Sequence, residues 1–211
     1  MTEIQRYSPV QLKATPRTTE LRANWPVVLV YSDEGHGPWL TDLSHKARWD
    51  LQDAKIGAQK VCDLGVPETA GYCALAGDVL INRMNTTQAS VYHLGGATPT
   101  LPADPRYTDV SEATLFIALF GPGAFLLAEK LTNLDLMDPA KEAPFLTQGP
   151  FCHVPCQIVT LEKSADSSGG FLLTCSRGYG ESMIDAILKA GAEFGLRPAG
   201  ETRFNGWLAG L

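Results

Sequence analysis

Hydrophobic positions along the chain fall into short blocks of differing period, and the sharpest change lies in "TDVSEATLFIALFGPGAFLLAEKL", residues 108 to 131. Leu115 to Phe120 is an unbroken apolar run of strand length, the pattern of a strand buried on both faces. After Gly121-Pro122-Gly123, Ala124, Leu127, Ala128 and Leu131 recur at helical spacing. Pro122 has a fixed φ and no N–H, which suits the first turn of a helix and would damage a strand interior. The stretch predicts strand, tight turn, helix.

A related pattern stands earlier, in "WLTDLSHKARWDLQDAKIGAQKVCDL", residues 39 to 64. Both stretches carry Thr-Asp-apolar-Ser, as Thr41-Asp42-Leu43-Ser44 and Thr108-Asp109-Val110-Ser111. In the first copy a short helix is expected near Asp53 to Cys62, with Ile56 and Val61 inward and Asp53 as N-cap. The shared order argues for two related units; chance similarity of two strand–helix units is the alternative. "ASVYHL" (89–94) alternates like a strand and runs into Gly95-Gly96. Residues 97–106 hold three prolines and no periodicity, the composition of a linker. "PCQIVTLEKS" and "GFLLTCS" predict two strands around a hairpin tip at "ADSSGG". "ESMIDAILKAGAEFG" (181–195) predicts a helix with Met183, Ile184, Ile187 and Leu188 as its stripe. The expected division is an N-terminal polar arm at 1–25, one α+β half at 26–96, the linker, and a second α+β half at 107–211.

Composition narrows the function classes. A net charge of −6 and a pI near 5.2 argue against a nucleic-acid or anionic-membrane surface, which would want a basic face. No run approaches the roughly 20 apolar residues that span a bilayer, and the first residues lack a signal-like apolar core, so a cytoplasmic location is expected. Five irregularly spaced cysteines suit free thiols. Cys152-His153-Val154-Pro155-Cys156 invites a metal reading, but structural zinc wants a second close ligand pair and none follows. Four large apolar residues at the end, Phe204, Trp207, Leu208 and Leu211, should dock on the chain's own core or on another subunit.

The ordered set "DLSHKARWDLQDAKIGAQKV", "INRM…SVYHL", "YTDVSEATLFIALFGPGAFLLAEKLTNLDL", "HVPCQIVTLEKS" and "AILKAGAEFGLRPAG" resembles the glycine-cleavage T-protein family. The compact "SRGYGESMIDAILKAG" is most similar to the gamma subunit of heterotetrameric sarcosine oxidase. The resemblance implies two pseudo-repeated ferredoxin-like α+β halves forming a folate-binding core, without the C-terminal β-barrel of T-proteins. It also implies tetrahydrofolate as cofactor and partner subunits, such as a flavoprotein, a corrinoid protein or a lipoyl protein.

In the family an aspartate, a strand tyrosine, a glutamate and an arginine serve the folate site. The positions that match here are Asn82 and Arg83 where the acid is expected, Tyr92 for the tyrosine and Arg203 for the arginine. An amide or guanidinium cannot act as a carboxylate base or offset a developing cation. Each residue also has a plain structural reading: strand ends for Asn82 and Arg83, a packed ring for Tyr92, a brace for Arg203. Glu181 or Asp185 would replace the glutamate by proximity alone, and His45 could carry a proton or sit idle on the surface. Three functions follow: a T-protein-like subunit of a one-carbon enzyme complex, a catalytically silent assembly subunit, or a stand-alone methyl- or aminomethyltransferase drawing its acid from Asp78 or Glu181.

Overall fold

The computed structural model describes residues 4–164 and 169–211. The chain begins with a hairpin, β1 (Pro16–Arg22) and β2 (Trp25–Tyr31), turned by Ala23 and Asn24, both with positive φ. Residues 16–22 of the expected arm are therefore paired backbone. Next come β3 (Trp39–Asp42), β4 (Arg48–Gln52), a 3-10 turn at Ile56–Ala58, β5 (Lys60–Val61) and β6 (Leu64–Gly65). They are followed by β7 (Cys73–Ala76), β8 (Val79–Arg83) and β9 (Gln88–His93). No strand or helix occupies residues 94–106. Then follow β10 (Tyr107–Asp109), β11 (Thr114–Phe120), α1 (Ala124–Ala128), β12 (Phe145–Phe151) and β13 (Val154–Glu162). The chain closes with β14 (Gly170–Ser176), α2 (Gly180–Gly191), β15 (Arg197–Pro198) and α3 (Glu201–Leu208). No described helix is long and apolar enough to cross a membrane. The tip expected between β13 and β14 lies largely outside the described residues.

Two sheets dominate, one ordered β10-β4-β9-β8-β7 and one ordered β12-β13-β14-β11-β3-β15. They make this a mixed α+β protein rich in sheet. The run Leu115–Phe120 is buried throughout because β11 has a core on each side. Leu115, Ile117 and Leu119 pack with Phe125 and Leu127 of α1 and Met183, Ile184 and Ile187 of α2. Phe116, Ala118 and Phe120 face the other sheet, meeting Leu80 and Tyr92 and also Phe204 of α3. A third cluster covers the far face of the five-stranded sheet, where Ile56, Val61 and Val66 lie over Trp49, Ile81 and Val91.

The expected helix from Asp53 to Cys62 is not formed. Asp53 does accept the Lys55 N–H at 2.6 Å, as an N-cap would, but only the 3-10 turn follows. Cys62 and Asp63 then take positive φ and turn β5 back on β6. Two apolar residues five apart make no helical stripe, since five residues turn the side chain about 140° off the first. Among the described residues 26–96 hold no α-helix, so that half lacks the helices of a ferredoxin-like unit.

The Thr-Asp-apolar-Ser segments have matched geometry. Each ends a short strand, and the serine N–H donates to the aspartate Oδ1 at 2.9 Å in both. β3 pairs with β11 while β4 pairs with β10, so each segment lends a strand to the other's sheet. Ser44 Oγ accepts from Phe116 N at 3.2 Å, and Ser111 Oγ accepts from Arg48 N at 2.9 Å. The buried Arg48 guanidinium fills this crossing, donating to Lys46 O at 2.6 Å and Thr114 O at 3.1 Å. Burial lowers its pKa to about 10.

Candidate functional site

The four residues matched to the family's folate site lie in three places. Antiparallel register sets Asn82 opposite Ser90 and Leu80 opposite Tyr92, which turns Asn82 and Tyr92 toward the six-stranded sheet. Asn82 Nδ2 donates to Ser90 Oγ at 3.1 Å, while its buried Oδ1 has no partner among the described residues. The Tyr92 hydroxyl donates to Gln157 Oε1 at 2.8 Å and lies 3.3 Å from Thr174 Oγ1. Burial pushes this phenol's pKa up. Arg83 points to the opposite face, where Nε donates to Asn85 O at 2.5 Å and Nη2 to Thr86 O at 3.1 Å. It ties down the β8–β9 turn.

Arg203 sits on α3, away from the other three. Its Nε donates to Glu34 Oε2 at 2.6 Å and its guanidinium lies 4.6 Å from the Trp39 ring centroid. Burial would raise the Glu34 pKa, but the N–H groups of Tyr31 and Gly200 together with Arg203 hold it below the usual range. Arg203 lines an open apolar cleft of about 450 Å³ with Val30, Trp39, Phe120 and Trp207. The candidate replacement acids are exposed: Asp78 at the β7–β8 turn, Glu181 and Asp185 on α2. Helix α2 covers the face of the six-stranded sheet opposite Asn82 and Tyr92. Cys152 and His153 form the tight turn between β12 and β13, both with positive φ.

Tyr92→Phe reads how far the phenol is structural. Its removal strands Gln157 and Thr174 between the sheets and is expected to cost about 1–3 kcal/mol in urea unfolding. A neutral result would mean that Tyr92 is held there for something other than packing.

A charged cluster that the motifs did not reveal joins three distant segments. Glu201, the first residue of α3, is 1% exposed and accepts from Lys46 Nζ at 2.5 Å and Arg22 Nη1 at 2.9 Å. His45 Nε2 lies 3.3 Å from the same carboxylate. Lys46 Nζ also donates to Gly95 O at 2.9 Å. Burial alone would raise the Glu201 pKa; the His45 hydrogen bond and the Lys46 charge hold it well below the carboxylate range. Burial likewise lowers the Lys46 ammonium's pKa, against the pull of Glu201. Asp42-Leu43-Ser44-His45-Lys46 and Pro198-Ala199-Gly200 each lie in a segment that carries the family resemblance, and Glu201 directly follows the second. The cluster brings those two segments together. The sequence showed each separately, but not that they meet.

Beside the cluster lies a cleft of about 300 Å³, walled in part by Trp25, His45, Trp49 and Asp109. His45 is the residue common to both features. Oriented by an ionised carboxylate, an imidazole can accept or relay a proton.

Comparison with known proteins bears on which chemistry this scaffold serves. No protein-family model matches the chain. It is 33% identical over 97 residues to an aminomethyltransferase of Geobacillus thermodenitrificans (strain NG80-2), a match covering 46% of this chain and 26% of the relative. The chain thus spans about a quarter of that protein's length. Its fold matches a chain of heterotetrameric sarcosine oxidase from Corynebacterium sp. U-96, solved in complex with pyrrole 2-carboxylate. The TM-score is 0.59 at 15% identity, over 74% of this chain and 84% of that one. At that identity the likeness is one of fold alone. In sequence through an aminomethyltransferase, and in fold through a sarcosine oxidase chain, this protein resembles the T-protein-like folate-binding family.

Proposed function

We propose that this chain is a T-protein-like subunit of a multi-subunit one-carbon enzyme complex of the sarcosine or methylamine type, without aminomethyltransferase activity of its own. The observation that carries the reading is Asn82, an amide sealed between two sheets where the family places an acid. A buried amide neither takes up a proton nor stabilises a developing cation. Partner chains would supply the redox or carrier chemistry, a flavoprotein, corrinoid protein or lipoyl protein being the candidates. The match to a chain of a heterotetrameric enzyme supports assembly with other subunits.

Tetrahydrofolate does not fit the four residues as they stand. Asn82 and Tyr92 are 0% and 2% exposed, Arg83 faces the other way, and Arg203 is held by Glu34 at a separate cleft. This favours the assembly role within the same reading, in which the fold is kept and the ligand is lost. We also read residues 26–96 and 107–211 as related units joined by 97–106; the matched aspartate–serine turns and reciprocal strand pairing support it.

The test is native mass measurement and turnover on the protein taken from its own cells. A stable hetero-complex is expected, together with no aminomethyl transfer by the isolated chain given tetrahydrofolate and a methylamine donor. A lone 22.8 kDa monomer, or robust turnover by the chain alone, overturns the reading.

A further inference from the structure

We propose that Cys156 and Cys175 are a reversible redox pair, which a hydroperoxide closes to a disulfide across β13 and β14 and a dithiol reopens. The inference stands apart from the subunit role, because it uses none of Asn82, Arg83, Tyr92 and Arg203.

Strand register brings the two thiols together. Gln157 lies opposite Thr174 and Ile158 opposite Leu173, so the next residues outward, Cys156 and Cys175, oppose one another in turn. Both are still strand, since β13 begins at Val154 and β14 ends at Ser176. Both side chains leave the sheet on the face that α2 covers, in one cluster with Ile158, Leu173 and Met183. Directly opposed Cα atoms of an antiparallel pair stand roughly 4.5–5.5 Å apart, inside the span of roughly 4.4–6.8 Å that a disulfide bridges. The backbone thus already holds these residues at bridging separation.

The surroundings set the order of events. The S–H of Cys156 has two acceptors within reach, Val154 O at 3.2 Å and the Cys175 sulfur. The hydrogen bond between the two thiols holds the Cys175 pKa below that of an ordinary thiol, against its burial, and raises that of Cys156. Cys175 is therefore the nucleophile and Cys156 the resolving thiol. The Cys175 thiolate attacks the terminal oxygen of the hydroperoxide, the O–O bond breaks, and a sulfenic acid forms as the alkoxide (hydroxide, from hydrogen peroxide) leaves and takes up a proton. Cys156 then attacks that sulfur, the S–O bond breaks, and water departs with the Cys156 proton. The two sulfurs together give up the two electrons that reduce the peroxide bond. Cys156 and Cys175 are 6% and 5% exposed, so a small oxidant fits and a protein oxidant does not. Cys152 packs against the same cluster from the β12–β13 turn but stands opposite neither thiol. Among the described residues no three His, Cys, Asp or Glu side chains are grouped to hold a metal, which leaves oxidation as the chemistry of the pair.

The test treats the reduced full chain with equimolar hydrogen peroxide and reads intact mass, thiol alkylation after denaturation, and a peptide map. The expected product is lighter by two hydrogen atoms, has two of its five thiols protected, and yields a linked Cys156–Cys175 peptide. Dithiothreitol should restore all five thiols. Cys152→Ser should oxidise in the same way, whereas Cys156→Ser should stop at a sulfenic acid on Cys175 that dimedone traps. A link from Cys152 to either thiol, or no protected pair, overturns the proposal in the unmodified protein, so the test stands even if a variant misfolds. An undiminished loss of two hydrogens in Cys156→Ser overturns it as well.

Discussion

Glu201→Gln is expected to destabilise the folded chain by about 3–5 kcal/mol in chemical denaturation. The substitution is nearly isosteric, so packing is kept and only the charge is lost. What remains is Lys46, whose side chain is 1% exposed, with a carbonyl and an amide for company. A buried ammonium without a counter-charge costs several kcal/mol or gives up its proton. Arg22 loses its bidentate partner and swings back to Glu20, which it already touches at 2.9 Å, loosening the β1–β2 hairpin from α3. Replacing Glu201 and Lys46 together by methionine should recover part of the loss, since the pair's desolvation is then removed along with its attraction. A Glu201→Gln loss under about 1 kcal/mol would show that the cluster is solvated in solution.

The same carboxylate makes the difference between wild type and Glu201→Gln depend on pH. Its folded-state pKa is depressed, so its stabilisation is fully present above the unfolded value of about 4.3 and is lost as pH falls below that value. The gap between the two proteins should be widest near neutrality and close on acidification.

Phe204→Ala is the second large effect, expected to cost about 3–5 kcal/mol in the isolated chain. Phe204 is fully buried in the inter-sheet core, its ring 6.1 Å from that of Phe120. One turn on, Trp207 stacks on Phe120 at 4.8 Å and its indole N–H donates to Glu162 Oε2 at 3.2 Å. Helix α3 can lie this close because Gly200 precedes it: a Cβ there would stand 2.1 Å from the Leu29 carbonyl oxygen. So the apolar tail docks on the chain's own core through Phe204, Trp207 and Leu208, and only Leu211 is left half exposed. Equilibrium unfolding of the purified single chain checks it. A loss below about 1 kcal/mol would mean that α3 is held by another subunit.

Local pattern was enough for the elements whose burial is periodic. The run Leu115–Phe120 announced a strand with a core on each side, and the stripe Met183, Ile184, Ile187, Leu188 announced α2, because both signals repeat within a few residues. Residues 53–62 defeated the same reasoning. A capping aspartate and two apolar residues resemble a helix start, yet here they serve to lid the outer face of a sheet whose strands come from elsewhere. The Thr-Asp-apolar-Ser echo was visible as letters, while its use was not, since each serine hydroxyl bonds a backbone more than sixty residues away.

The candidate site divides along the same line. Residue types alone determined that Asn82 offers no acid, for no environment turns an amide into a carboxylate. Where Asn82, Arg83, Tyr92 and Arg203 point was decided by strand register and helix docking, which sort neighbours in sequence onto opposite faces. No local pattern announced the pairing of Lys46 with Glu201 across 155 positions. The sequence determined that these two charges exist. Only the tertiary structure, by excluding water from both, made each the other's necessary partner.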